Sequence, residues 1–166
     1  MSKQSSQNNK INFSWTFIIL PAAIVALSVI IAAIFYSKLP ADVAYHFKDG
    51  LPDRWTSRGT MLILTLFPQF IFFFFSLILC SLMLLLVRRF EKARGNQVKT
   101  LISIMGNMLA LPQIILLFAM LSVFLYNSYQ ITLIPLWVFS VIVIVAGSVI
   151  LAIFFIRTAR RLRGQV

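Results

Sequence analysis

The sequence predicts an all-α integral membrane protein with four transmembrane helices and one folded loop between the first two. Hydrophobic residues make up 60% of the 166-residue chain and charged residues only 11%, against about 25% in soluble domains. A soluble domain of this length could not remove so much apolar surface from water, because small proteins have a high surface-to-volume ratio. The lipid bilayer is therefore the expected solvent for most of this single membrane domain.

Four apolar segments are each long enough to cross a bilayer, which takes about 20 residues. They are residues 13–36, 61–87, 100–126 and 131–156. More polar stretches flank them, namely an N-terminal tail (1–12), an outer loop (37–60), a basic inner loop (88–99), a short connection (127–130) and a basic C-terminal tail (157–166). The short connection predicts that the third and fourth helices form an antiparallel hairpin.

The distribution of basic residues predicts the orientation in the membrane. Eleven of the fifteen Lys and Arg residues fall in the two tails and the inner loop. The positive-inside rule then places both termini in the cytoplasm and the outer loop outside a multi-pass cell-membrane protein. This accounts for the net charge of +11 without nucleic acid. The cations expected to contact lipid or a cytoplasmic partner are Arg88, Arg89, Arg157, Arg160, Arg161 and Arg163.

Polar side chains recur at helical spacing on the second and third spans, and such residues tend to face protein rather than lipid. We predict a packing seam in which amides form hydrogen bonds between these two helices. A polar substrate path is the alternative, but no span contains Asp, Glu, Lys, Arg or His. The predicted seam consists of Thr65, Gln69, Ser103, Asn107 and Gln113.

The outer loop holds the only histidine and three of the four acidic residues. Alternating residues from Val43 to Phe47 predict an extended stretch, and Asp49–Gly50 marks a tight reversal. Pro52–Asp53 marks a second turn, and Ser57 is a candidate N-cap for the second helix. Within this loop, we predict that a carboxylate pairs with His46; Asp53 is the first choice and Asp49 the alternative.

The stretch "LPADVAYHFKDGLPDRWTSR" resembles the signature of a membrane protein family called domain of unknown function 1648 (DUF1648), whose best-known relatives are the SdpI-type immunity proteins. The resemblance implies a membrane protein; SdpI-type members protect a cell from a membrane-active toxin and hold a transcriptional repressor at the inner face. Most members have no assigned role. The matching positions are Leu39, Pro40, His46, Phe47, Gly50, Pro52, Asp53, Trp55, Ser57 and Arg58.

The loop chemistry predicts binding rather than catalysis. No catalytic motif and no HExxH sequence accompanies His46, and a metal site normally needs three or four ligands, so we expect no catalytic residue, metal or cofactor. The expected function is non-enzymatic sensing or recognition of an extracytoplasmic peptide or small ligand, as in SdpI-like immunity or signalling. An accessory subunit of a larger membrane complex and a transporter-like carrier are the alternatives.

Overall fold

The computed structural model describes residues 12–48, 51–89 and 96–163. A short 3-10 turn at Trp15–Phe17 comes first. The elements that follow are α1 (Ile19–Tyr36), β1 (Asp42–Lys48), β2 (Leu51–Ser57), α2 (Arg58–Arg89), α3 (Asn96–Met108), α4 (Ala110–Tyr129) and α5 (Leu136–Arg163).

Within the described part of the chain, four helical segments are long and apolar enough to cross a membrane. The mean hydropathy of their best windows lies between 2.4 and 3.0. The predicted number of spans and the mostly helical architecture are therefore confirmed. The segments are Ile19–Tyr36, Arg58–Val87, Val98–Tyr129 and Leu136–Arg157.

The first two spans begin at different residues from those predicted. The first α-helix begins at Ile19 and not at residue 13, because the preceding residues form the 3-10 turn. The second begins at Arg58 and not at residue 61. Ser57 caps it as predicted, since its hydroxyl oxygen accepts the Thr60 N–H at 3.2 Å and satisfies a donor that the first helical turn leaves free.

The third span is divided at Leu109 into α3 and α4. Pro112 has no N–H, so the carbonyl of Met108 lacks its usual helical donor, and α3 ends at that residue. Pro68, by contrast, lies inside the uninterrupted α2. The predicted connection 127–130 is wrong, because α4 continues to Tyr129 and α5 begins only after Pro135. Gln130 ends α4 in a left-handed conformation with φ of 57°.

Two buried clusters lie towards opposite ends of the helical bundle. The first lies below the β-strands and combines Leu39 and Val43 with Met61, Met120 and Phe124. The second contains Phe17, Ile18, Cys80, Leu84 and Ile102. We call the two ends of the bundle the hairpin end and the basic end, the latter formed by the end of α2, the start of α3 and the end of α5.

The predicted seam between the second and third spans forms around two glutamines. The side-chain nitrogen of Gln69 donates to the Gln113 main-chain carbonyl at 3.1 Å, and Gln113 donates to the Gln69 carbonyl at 3.0 Å. Both side chains are fully buried. About two turns further along α2, the Ser76 hydroxyl donates to the Gly106 carbonyl at 2.8 Å. Polar groups therefore join α2 to α3 and α4 as predicted.

The other three predicted seam residues have different partners. The Ser103 hydroxyl and the Asn107 amide both donate to the Thr16 carbonyl, at 3.2 and 2.9 Å. The Asn107 carboxamide oxygen also accepts the Leu20 N–H at 2.9 Å. Ser103 and Asn107 therefore bind the 3-10 turn, and Asn107 also binds the start of α1, instead of α2. Thr65 bonds only within its own helix, to the Met61 and Leu62 carbonyls, which is an ordinary way to satisfy a hydroxyl inside a helix.

Strands β1 and β2 form an antiparallel hairpin that connects α1 to α2. Lys48 pairs with Leu51 at its tip, while Asp49 and Gly50, the predicted reversal, lie outside the described residues. The predicted second turn at Pro52–Asp53 is wrong. Both residues belong to β2, where Pro52 pairs with Phe47.

Candidate functional site

Asn127, near the end of α4, fixes the hairpin to the helical bundle. Its carboxamide oxygen accepts the Ala44 N–H and its nitrogen donates to the Ala44 carbonyl, both at 2.8 Å. The same nitrogen donates to the Val123 carbonyl at 2.8 Å. The side chain therefore takes the place of a neighbouring strand at the outer edge of β1. A strand edge left unpaired would expose these groups as a template for another chain.

Cationic side chains attach the base of the hairpin to the ends of α1 and α4. The Arg58 guanidinium donates to the Tyr36 carbonyl at 3.2 Å and lies over the Tyr36 ring at 4.6 Å. It thus satisfies a carbonyl at the C-terminus of α1, where positive charge is also favoured by the helix dipole. The Lys38 ammonium donates to the Tyr129 hydroxyl at 2.6 Å.

Buried side chains hold the first half of β1 against the helices. Val43 is fully buried and Leu39 is 3% exposed, and both pack into the cluster below the hairpin. The Phe47 ring meets Tyr126 edge to face, with centroids 4.6 Å apart. The hairpin is therefore a packed part of the bundle rather than a separate surface loop.

The predicted pairing of His46 with Asp53 is confirmed. The two side chains meet across the strands, with His46 Nδ1 and Asp53 Oδ1 2.5 Å apart. The backbone of His46 pairs with Arg54, and the pairing is irregular on both sides of His46. Asp53 is the residue next to Arg54 on β2, so its side chain can still reach His46. Because the pair remains partly exposed to solvent, its groups are available to a ligand.

The outer part of the hairpin exposes large apolar side chains. Leu51 is 72% exposed and Trp55 is 56% exposed. Tyr45 is exposed as well, so the His46–Asp53 pair lies among aromatic and aliphatic groups. A polar pair within an amphipathic aromatic surface is suited to binding another molecule at a membrane–water interface, where Trp and Tyr are favoured.

The structure brings most of the predicted loop residues together at the hairpin end. Leu39 is in the core, Ser57 and Arg58 fix the start of α2, and Pro40 is exposed between α1 and β1. Sequence reasoning missed Asn127 as a functional residue. Asn127 could have been noticed as a carboxamide at the end of an apolar span, because that end lies on the side of the membrane predicted for the outer loop.

The predicted basic residues lie at the opposite end of the bundle. Arg89, Arg157 and Arg160 are exposed near the ends of α2 and α5. The side chains of Arg88, Arg161 and Arg163 lie outside what the structure describes. Across residues 12–48, 51–89 and 96–163, no group of three or more His, Cys, Asp or Glu side chains is placed to hold a metal ion.

Comparison with known families identifies the segment that contains the hairpin. Residues 23–67 match a family model described as Domain of unknown function (DUF1648). The segment is similar to that family, and we call it the DUF1648 segment. It covers most of α1, the whole hairpin and the first part of α2, so the resemblance read from the sequence is confirmed for this segment. No curated protein and no solved structure matches the chain.

The His46–Asp53 pair of the DUF1648 segment is expected to stabilise the hairpin measurably. Cross-strand pairs of this kind contribute about 0.2–1 kcal/mol, and partial exposure keeps the value in that range. We expect a double-mutant cycle of His46→Ala and Asp53→Asn to give a coupling energy of this size for hairpin opening. Hydrogen exchange of the hairpin amides in detergent measures it.

The control is a second double-mutant cycle, which combines Asp42→Asn with His46→Ala. It removes a carboxylate from the other end of β1, where the pairing partner is Ser57, so the two effects should add. Equal coupling in both cycles, or none in either, would show that His46 and Asp53 do not act as a pair.

Proposed function

We propose that the protein is a non-enzymatic membrane protein whose DUF1648 hairpin recognises an extracytoplasmic ligand at the cell surface. The proposed ligand is a peptide or small molecule that reaches the membrane from outside. Immunity to a membrane-active toxin, or signalling of its presence, is the biological role that the resemblance to SdpI-type proteins suggests.

The supporting observation is that the hairpin is fixed on one side and exposed on the other. Asn127 binds both main-chain groups of Ala44, and Val43 is fully buried. Leu51 and Trp55 nevertheless remain more than half exposed. A binding surface gains affinity when its conformation is set before the ligand arrives, because less ordering has to occur on binding.

The proposed orientation places the hairpin outside and both termini in the cytoplasm of a multi-pass cell-membrane protein. Support comes from the exposed cations at the other end of the bundle, which include Arg89, Lys99 and Arg157. Cytoplasmic segments carry an excess of Lys and Arg. At the hairpin end, the acidic Asp42 and Asp53 offset part of the positive charge.

Photo-crosslinking in intact cells tests this proposal. Benzoylphenylalanine placed at Leu51 should form a discrete adduct with a non-lipid molecule after illumination. The matched control is the same residue placed at Val145, which is 56% exposed on α5 within a membrane-spanning segment. This control should form lipid adducts only.

The adduct at Leu51 should become weaker when Asn127→Leu is added, because the hairpin then loses the side chain that binds the edge of β1. If Leu51 and Val145 both yield only lipid adducts, recognition by the hairpin is refuted. If both positions yield the same membrane protein in stoichiometric amounts, the chain is instead an accessory subunit of a larger complex.

A further inference from the structure

A cavity of about 890 Å³ opens at the basic end of the bundle, away from the DUF1648 hairpin. Its walls come from the 3-10 turn and the start of α1, from α3, and from the last part of α5. Its volume falls within the usual range for small-molecule sites, about 300–1,000 Å³. The cavity lies close to the exposed Trp15, an aromatic residue type that marks membrane–water interfaces.

The lining of the cavity changes from apolar to polar. Phe17, Leu20, Ile104 and Phe154 supply apolar walls, while Lys99 and Ser103 supply a cation and a hydroxyl. Such a lining fits a molecule with a hydrocarbon part and an anionic polar part. A purely apolar ligand would make no use of the Lys99 charge at the rim.

The charged side chains that the structure describes near the cavity are basic. Arg157 lies on α5 one turn beyond the cavity-lining Phe154, and Arg160 follows one turn later; both are exposed. The acidic residues that the structure describes are Asp42 and Asp53, both in the hairpin at the other end. Basic pockets between transmembrane helices on the cytoplasmic side are suited to anionic phospholipid headgroups.

We propose that this cavity is a binding site for one anionic phospholipid. The phosphate lies at Lys99, and an acyl chain lies against Phe17, Ile104 and Phe154. The N-terminal tail is the competing occupant within the chain. Residues 1–11 contain Lys3 and Lys10 and no acidic residue, so the tail has the wrong charge for a cavity lined by Lys99. The inference is independent of ligand recognition by the hairpin, because it concerns the opposite end of the bundle.

Native mass spectrometry of the full chain in detergent tests the site. The probes are dioleoyl phosphatidylglycerol and, as the neutral lipid, dioleoyl phosphatidylcholine, each titrated separately. We expect one tightly retained phosphatidylglycerol and weaker binding of phosphatidylcholine. Lys99→Gln should weaken phosphatidylglycerol binding about fivefold, the effect of one basic residue near an anionic lipid.

Two further variants distinguish lipid binding in the cavity from non-specific attraction of anionic lipid by the basic surface. Arg89→Gln removes one charge at the same end of the bundle but outside the cavity lining, and it should weaken binding much less than Lys99→Gln does. Ile104→Trp narrows the apolar part of the cavity while retaining every charge, and it should weaken retention of the single lipid.

Three results would overturn the proposal. The first is equal binding of the two lipids. The second is equal weakening by Arg89→Gln and Lys99→Gln, which would indicate a diffuse electrostatic layer. The third is binding that appears only after residues 1–11 are removed, which would make the tail the occupant.

Discussion

Gly106→Ala is expected to destabilise the helical bundle by about 1–3 kcal/mol, the range for overpacking a close contact. A Cβ at this position would overlap the Phe17 carbonyl oxygen and the Cys80 sulfur. The carbonyl belongs to the backbone and cannot rotate away, so α3 has to move from its neighbours. Detergent-solubilised protein, unfolded with sodium dodecyl sulfate and followed by circular dichroism, measures the change in the free energy of unfolding.

Gly59→Ala is the matched control for this substitution. No atom lies within 4 Å of a Cβ built at Gly59, and alanine favours a helix over glycine by up to about 1 kcal/mol. This variant should be neutral or more stable. Equal destabilisation by both substitutions would contradict the proposed close packing.

The reactivity of Cys80 gives a second measure of the same packing. Its side chain is 1% exposed, and its thiol lies near the Phe17 and Ile102 carbonyls at 3.8 and 3.9 Å. N-ethylmaleimide should modify it slowly in the native chain and faster in Gly106→Ala. An unchanged rate of modification would show that α3 does not move.

Asn127→Leu is expected to release the DUF1648 hairpin from the bundle. The substitution leaves the Ala44 N–H and carbonyl without their side-chain partner, and Ala44 is 3% exposed. Unsatisfied buried polar groups cost about 1–3 kcal/mol each. Hydrogen exchange of the hairpin amides should therefore accelerate about tenfold or more, and mass spectrometry of peptides covering residues 42–57 measures this rate.

Ser122→Ala is the control on the same helix. The Ser122 hydroxyl bonds only to the Phe118 carbonyl one turn earlier, so its loss should not change exchange in the hairpin. Unchanged exchange in Asn127→Leu would mean that the buried apolar residues, with Arg58 and Lys38, hold the hairpin in place without Asn127.

The helices and the hairpin were largely predictable because their signals are local. Long apolar segments predict membrane spans from composition alone. The His46–Asp53 pair was also predictable, since the reversal predicted at Asp49–Gly50 implies that residues on either side of it lie opposite each other. The wrong second turn at Pro52–Asp53 shows the limit of turn-forming dipeptides, because Pro is also tolerated in a short two-stranded hairpin.

Contacts between distant segments were less predictable. Helical spacing correctly showed that Gln69 and Asn107 face protein, but it could not show which helix each one meets. Asn107 binds the start of α1, whereas Gln69 binds Gln113 on α4. The role of Asn127 depends on the position of β1 relative to α4, which is a property of the tertiary structure.

The different effects of Pro68 and Pro112 have the same origin. Each proline removes one helical donor, but α2 continues through Pro68 while the third span divides before Pro112. Neighbouring groups decide whether a helix in a membrane bundle tolerates the loss. The residues next to each proline in the sequence do not show which groups surround it in the folded bundle.

Cysteine labelling in intact cells tests most directly whether the hairpin faces the outside. Two variants in a Cys80→Ser background carry single cysteines, Lys48→Cys at the hairpin end and Arg89→Cys at the basic end. With a membrane-impermeant maleimide, the orientation proposed here predicts that Lys48→Cys is modified in intact cells and that Arg89→Cys is modified only after the membrane is permeabilised. Modification of Arg89→Cys but not Lys48→Cys in intact cells would contradict it.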